Sequence, residues 1–166
     1  MATGMIILPV QSAKLTGDFI TNPAGINGGN NGWSLDFDAS QTESAVWQFR
    51  MPANYASDLT AKLQYTMASA TADKVDLEVE IMAVSDGDAA DVDTASFDSV
   101  NEVAGGTTVP GTAGYLDEIS ITCSNDDSVA AGDLVIVRVN RDHDDGDDTA
   151  TGDLELRAFS LEYTTS

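Results

Sequence analysis

The sequence predicts an all-β protein, folded as one jelly-roll-like sandwich of about eight antiparallel strands with an extended N-terminal segment. From residue 32 onward, apolar side chains recur at every second position. Glycine, asparagine and aspartate, which favour tight turns, separate these runs. No stretch of more than two turns shows the three- and four-residue spacing of an amphipathic helix.

The first 31 residues lack this alternation. Residues 5–8, Met-Ile-Ile-Leu, are uniformly apolar and precede Pro9, as in an edge strand or an arm. A loop rich in glycine and asparagine follows at residues 22–32. We therefore expect residues 1–31 to form an extension and residues 32–166 to form the sandwich. An extended arm stays ordered only when something holds it, which favours contact with a neighbouring subunit.

Four successive runs then place apolar residues inward and polar residues outward, as in half-buried antiparallel strands. Trp33 and Trp47 lie on the apolar phase of the first two runs, so we expect both in the core. The four runs cover residues 33–38, 45–51, 59–67 and 75–83.

The second half of the sandwich is predicted from shorter signals. Residues 97–103 are consistent with a brief strand, and residues 116–123 alternate again, with Cys123 as a small buried hydrophobe. Residues 134–140 are rich in β-branched side chains, which is typical of a central strand. In the last run, residues 154–163, the apolar phase slips by one at Ala158–Phe159, which predicts a β-bulge.

The charge excludes two classes of partner. The sequence contains 28 acidic and 7 basic residues, which gives a formal net charge of -21. Nucleic acid requires cations at its phosphates, and anionic membranes attract basic segments, so we expect neither as a partner. The acidity has two open explanations: a solvated, self-repelling coat, or adaptation to the high salt of a marine or halophilic host.

No targeting signal is evident. The start, Met1–Gly4, lacks the basic region and the long apolar stretch of a signal peptide. No stretch approaches the roughly 20 apolar residues that span a bilayer. We therefore expect synthesis and assembly in the cytoplasm.

The sequence contains no recognisable catalytic arrangement, so we do not expect an enzyme. His143 and Cys123 are the only histidine and cysteine, and they lie in separate segments. A nucleophile–histidine pair therefore has no support. Carboxylates are abundant, but nothing singles out the pair that a glycosidase requires.

An acidic loop near the C terminus has two interpretations. Its carboxylates could supply the oxygen ligands that Ca²⁺ prefers, or they could form a solvated turn. The spacing departs from the helix–loop–helix calcium register, because Gly146 arrives early and residue 153 is aspartate. No other cofactor is indicated. The candidate ligands are Asp142, Asp144, Asp145 and Asp147.

Exposed aromatic side chains would indicate a glycan-binding surface. With both tryptophans assigned to the core, we expect Tyr55 and Tyr115, which lie near loop tips, to be the exposed aromatic contacts.

Several segments resemble small phage-encoded β-sandwich proteins that are accessory components of tailed-virus particles. The resemblance runs in order from residue 33 to residue 163, on strand and turn patterns rather than on an active-site signature. It is carried by Leu35–Ala39, Ala45–Pro52, Leu59–Leu63, Ala83–Asp88, Ala131–Asp142 and Leu161–Tyr163.

This resemblance implies a jelly roll, a homotrimer and a place on the virion. The first hypothesis is a capsid decoration (cement) protein that binds the major capsid protein of the head lattice. The alternative is a tail, baseplate or fibre component that binds a host-surface glycan. For decoration, the N-terminal segment would contact the lattice or a neighbouring protomer through Met5, Ile6, Ile7, Leu8, Leu15, Phe19 and Ile20.

Overall fold

The computed structural model describes residues 2–17, 26–29 and 32–166, which form twelve strands and one 3-10 turn, η1 (Val10–Ser12). The all-β prediction is confirmed. None of the described residues belongs to a helix long and apolar enough to cross a membrane. In chain order the strands are β1 (Thr3–Leu8), β2 (Lys14–Gly17), β3 (Ile26–Gly29), β4 (Gly32–Phe37), β5 (Glu43–Arg50), β6 (Tyr55–Met67), β7 (Lys74–Val75), β8 (Leu77–Val84), β9 (Thr107–Thr108), β10 (Asp117–Cys123), β11 (Leu134–Arg141) and β12 (Leu154–Thr165).

Two antiparallel sheets pack face to face in a jelly-roll sandwich, which confirms the predicted fold class. The larger sheet has the order β10-β6-β12-β4-β3, and β1 also pairs with β12. The smaller sheet has the order β2-β5-β11-β8, and β7 and β9 form a separate two-stranded ladder. Strand β12 is central to the larger sheet, because it pairs with β6, β4 and β1.

The inward-facing residues of both sheets form one hydrophobic core. Trp47 is 3% exposed, and its ring lies 5.0 Å from that of Phe159 across the sandwich. Cys123 is also buried, as its position in the alternation predicted. The period-two pattern therefore reports correctly which residues of these strands are internal.

Two irregularities refine the sequence prediction. The register between β12 and β6 shifts between Leu156 and Ala158, which confirms the predicted bulge to within two residues. The brief strand expected at residues 97–103 is not formed. Within this segment only Asn101 forms a β-bridge, to Val79. The side chain of Asn101 also hydrogen-bonds to the carbonyl oxygen of Val79 and to the backbone of Asn125. These contacts hold the segment as a loop over the edge of β8.

The N-terminal segment differs from the expected extension. Strand β1 pairs with β12, and β2 pairs with β5, so the described part of residues 1–31 contributes to both sheets. Val10, between these strands, is 3% exposed. Ile6, Leu8, Val10 and Leu15 of this segment pack on the chain's own core, which holds the segment without a neighbouring subunit.

A buried arginine fastens one end of the sandwich. Arg141, at the end of β11, is fully buried and forms two 2.8 Å contacts with the carboxylate of Asp148. Its remaining N–H groups donate to the carbonyl oxygens of Ala150, Gly152 and Phe37, at 2.7, 2.8 and 3.4 Å. Because Phe37 ends β4, this one side chain joins the two sheets and the loop before β12.

Replacing this arginine should be strongly destabilising. We expect Arg141→Met to lower the free energy of unfolding, measured by urea denaturation, by about 3–5 kcal/mol, because it leaves Asp148 and three carbonyl groups without their donor. The matched control is Arg157→Met, since Arg157 forms a 2.6 Å pair with Glu155 but is 32% exposed. Its loss should cost about 1 kcal/mol or less. Equal losses for the two variants would contradict the assigned role of Arg141.

Candidate glycan-binding groove

A groove of about 750 Å³ lies on the outer face of the smaller sheet. Its floor consists of residues that alternate with the core residues of β5 and β11. In the strand register Arg138 lies opposite Val46, and Ile136 lies opposite Gln48. The sheet therefore presents a compact patch of two apolar and two polar side chains.

Two loop segments form the walls of the groove. One is the loop after β8, at residues 92–97, and the other runs from the end of β1 into η1. The second wall is fixed to the core, because the indole Nε1 of Trp47 donates a 2.9 Å hydrogen bond to the carbonyl oxygen of Pro9. The buried tryptophan thus positions part of the groove without being exposed in it.

Arg138 is held rigidly in the floor. Its Nε and Nη2 donate to the two carboxylate oxygens of Glu80 at 2.6 and 2.7 Å. Its guanidinium carbon also lies 4.3 Å from the ring centroid of Phe97, in a cation–π contact. Phe97 is thereby fixed as a half-buried aromatic surface at the wall of the groove.

The groove has the mixed chemistry of a ligand site. Lys14, Thr16 and Gln48 offer hydrogen-bonding groups beside the apolar surface of Val46 and Ile136. Ligand sites usually enclose roughly 300–1,000 Å³ with an apolar lining and a few polar groups, and this groove falls within that range.

Sequence reasoning did not identify this groove. A signal was nevertheless present, because Val46, Met82 and Ile136 are apolar residues on the phase of their strands that faces away from the core. Met82 is 3% exposed, yet it lies outside the core cluster. Apolar residues on an outward phase indicate that something covers that face.

The aromatic residues are distributed differently from the sequence prediction. The expectation that Tyr55 is exposed is wrong, because it is 8% exposed and packs against Tyr163. Tyr115 is 65% exposed, but it does not line the groove. The expectation that Trp33 is buried is also wrong, at 51% exposure, because β12 pairs with β4 only from Leu35 onward.

The acidic loop forms turns rather than a metal centre. Asp142 Oδ1 accepts a hydrogen bond from the N–H of Asp144, and Asp145 Oδ1 accepts one from Asp147. Across the described ranges, no three His, Cys, Asp or Glu side chains are grouped so that they could hold a metal ion. Two of the four predicted calcium ligands, Asp142 and Asp145, therefore bond to the backbone of their own loop.

The predicted partner-binding residues of the N-terminal segment divide into two groups. Ile6, Leu8 and Leu15 pack against the core. Met5 and Ile7 are 56% and 71% exposed on the outer face of the larger sheet. Phe19 and Ile20 lie outside the described residues.

A buried carboxylate without a partner lies at one end of the smaller sheet. Asp76 is 4% exposed, and its Oδ1 has no hydrogen-bond partner among the described residues. Burial, and after it the charges of surrounding acids, raise the pKa of this carboxyl to about 7. In order of effect, these acids are Glu102, Asp145, Glu78 and Asp142.

Comparison with known proteins shows which solved structures share this fold. No protein-family model matches the chain, and no curated protein matches it. A xylan-binding module, CBM15, is similar in structure, with a TM-score of 0.55, 13% identity and 99% of each chain covered. CBM35 from Cellvibrio japonicus Abf62 has a TM-score of 0.51 and 13% identity, over 98% of this chain and 99% of the other.

A family 35 carbohydrate binding module from Clostridium thermocellum is similar at a TM-score of 0.50 and 10% identity, over 95% of this chain and 97% of the other. At these identities the likeness concerns the fold alone. The chain thus has the jelly-roll β-sandwich fold of these carbohydrate-binding modules over nearly its whole length.

The buried carboxyl of Asp76 predicts a pH-dependent stability. Its pKa is 3.8 in the unfolded chain and about 7 in the folded protein, so the folded state holds the extra proton between these values. The wild type therefore loses stability as the pH rises from 3.8 to about 7. Asp76→Asn cannot ionise. We expect it to raise the melting temperature by at least about 4 °C near pH 8, and to have little effect near pH 4.

The matched control for this measurement is Asp86→Asn, which removes an exposed carboxylate. Its effect should be small at both pH values. If Asp76→Asn had the same effect near pH 4 as near pH 8, the ionisation of Asp76 would not be the cause.

Proposed function

We propose that this protein is a non-catalytic glycan-binding module that holds its ligand in the groove over the smaller sheet. The observation that carries the proposal is the arrangement of the groove itself. An aromatic ring, Phe97, and the aliphatic floor of Val46 and Ile136 lie beside the hydrogen-bonding side chains of Gln48 and Thr16.

A sugar ring matches this combination, because its C–H faces are apolar and its edge carries hydroxyl groups. The apolar surfaces of the groove would cover the ring faces, while the polar side chains would bond to the hydroxyls. The floor is a paired sheet, and Arg138 is fixed by Glu80, so little side-chain entropy is lost on binding. The fold shared with carbohydrate-binding modules supports the same proposal.

The charge favours a neutral glycan. The net charge of -21 repels polyanionic chains, and the cation of Arg138 is already paired with Glu80. Lys14 is the other cation in the groove, and Asp93 lies in the opposite wall. A neutral polysaccharide encounters no charge barrier at this surface.

A role as a virion surface protein is the second candidate. It rests on the resemblance to phage-encoded sandwich proteins and on one feature of the structure, the exposed apolar pair Met5 and Ile7 on an edge strand. An exposed apolar surface on a highly charged protein favours contact with another protein. A glycan-binding module carried on a virus particle would reconcile the two candidates.

A glycan array followed by calorimetry tests the first candidate. We expect binding to one class of neutral polysaccharide. Phe97→Ala and Gln48→Ala should each weaken that binding by about tenfold, since each removes one contact surface of the groove. Tyr115→Ala is the control, because Tyr115 is an exposed aromatic residue outside the groove.

Melting temperatures establish that each variant remains folded. An array without any bound neutral glycan would contradict the proposal. Binding that is abolished by Trp33→Ala but unaffected by both groove variants would move the site to the exposed tryptophan of β4.

Sedimentation with virus heads tests the second candidate. Heads of the encoding virus, assembled without this chain, should carry it into the pellet, and Met5→Lys/Ile7→Lys should leave it in the supernatant. A wild-type chain that stays in the supernatant would contradict the decoration role.

A further inference from the structure

We propose that β1 is a self-association edge, at which two copies of this chain pair through their β1 strands and join their larger sheets. One side of β1 is fully paired with β12, from Thr3 opposite Thr164 to Leu8 opposite Phe159. In the described part of the chain, no residue pairs with its other side. A strand in this position presents unpaired backbone N–H and C=O groups to a further strand.

The other sheet edges are protected in ways that β1 is not. Strand β10 directs the polar side chains of Glu118, Ser120 and Thr122 outward. The edge of β8 is covered, because the N–H groups of Asp98 and Asn101 donate to the carbonyl oxygens of Ile81 and Val79. Strands β2 and β3 have only four residues each. Charge, coverage and short length are the usual means of blocking an edge.

Strand β1 has six residues, no charged side chain and no proline. Its outward-facing residues include Met5 and Ile7, which are 56% and 71% exposed. On the same face, Ile7 lies beside Ala158 and Lys62. This edge is therefore apolar and long enough to pair, and no described residue covers it.

The distribution of charge favours a second copy of this chain as the partner that pairs with β1. Most of the surface of a protein with a net charge of -21 repels another copy. The first acidic residue of the chain is Asp18, and Lys14 is the only charged side chain before it. In the ladder with β12, one acid lies alongside β1, namely Glu162 opposite Met5. Two copies can thus approach edge to edge at β1 with little repulsion.

An antiparallel pair of β1 strands is symmetric about a twofold axis and closes as a dimer. With the axis at Ile6, Met5 of one copy lies opposite Ile7 of the other, and both pairs fall on one face of the joined sheet. Side chains directly opposite in such a pair lie about 5 Å apart and bury each other's apolar surface. The exposed residues of the monomer become the contact of the dimer.

This inference does not rest on the proposed glycan binding, because it is argued from the pairing and charge of β1, although Ile6, Ile7 and Leu8 of β1 also line the groove. Sedimentation equilibrium of the full chain over a dilution series tests it. We expect a monomer–dimer equilibrium whose dimer is stronger at about 1 M than at about 0.15 M salt, since salt screens the repulsion between the two copies. Ile7→Lys should weaken the dimer by about tenfold or more.

Leu116→Lys is the matched control, because Leu116 is 61% exposed but lies on a loop away from β1. It should leave the dimer unchanged, and melting temperatures should show that both variants are folded. A chain that is monomeric at every concentration and at both salt levels would overturn the proposal. A dimer that Ile7→Lys does not weaken would also overturn the proposal, and so would the observation of a closed trimer.

Disulfide trapping tests the register independently of affinity. The native Cys123 is buried, so introduced cysteines report on the surface alone. A mixture of Met5→Cys and Ile7→Cys chains should form a crosslinked pair on oxidation more readily than either chain alone. Equal crosslinking of Leu116→Cys with either chain would contradict the assigned contact.

Discussion

The buried guanidinium group of Arg141 is the interaction on which one whole end of this sandwich depends. It meets the carboxylate of Asp148 and carbonyl groups from β4 and from the loop before β12. Asp148 in turn accepts a 3.1 Å hydrogen bond from the N–H of Asp76. A buried charge with all its donors engaged costs little, whereas loss of the arginine would leave the buried carboxylate of Asp148 without its counter-charge. The acidic loop is consequently anchored at its base through Asp148, while Asp144, Asp145 and Asp147 are exposed.

The same end of the molecule also contains an opposing feature, the unpartnered carboxyl of Asp76. Arg141 is committed to Asp148 and to backbone carbonyls, so Asp76 is surrounded mainly by other acids. The fold tolerates this group by holding its proton rather than by pairing its charge. One hydrogen bond, from the N–H of Asp76 to Asp148, joins the unpaired acid to the Arg141–Asp148 pair, and the ionisation of Asp76 makes this end of the sandwich sensitive to pH.

Charge also determines where partners can approach. Acidic side chains occupy most loops, whereas the groove and the β1 edge are two surfaces of the described residues with apolar side chains and few acids. The groove combines apolar and hydrogen-bonding side chains and suits a polyhydroxylated ligand. The edge offers apolar side chains and free backbone groups, and suits another strand. The groove floor and β1 lie on different sheets, but Ile6, Ile7 and Leu8 of β1 also line the groove, so a dimer formed through β1 would lie beside its wall.

The sequence predicted the strand content well, because the alternation of side chains is a local property of an extended chain. It located the long strands from residue 32 onward, the bulge in β12 and the burial of Trp47 and Cys123. It failed where the outcome depended on distant pairing. Trp33 has the same phase as Leu35, but β12 does not extend to it, and its side chain is exposed. Tyr55 is buried because β12 continues along β6 to Thr165.

What the sequence determined by itself was the fold class, the inward face of each strand and an acidic surface that disfavours polyanionic partners. Only the tertiary structure decided that the N-terminal strands belong to the sandwich, that Val46, Gln48, Ile136 and Arg138 share one floor, and that Arg141 meets Asp148 in the interior. The physical reason is that a period of two specifies which side of a strand a residue occupies. It carries no information about which strand lies next to it, and the groove, the buried pair and the open edge are all products of that adjacency.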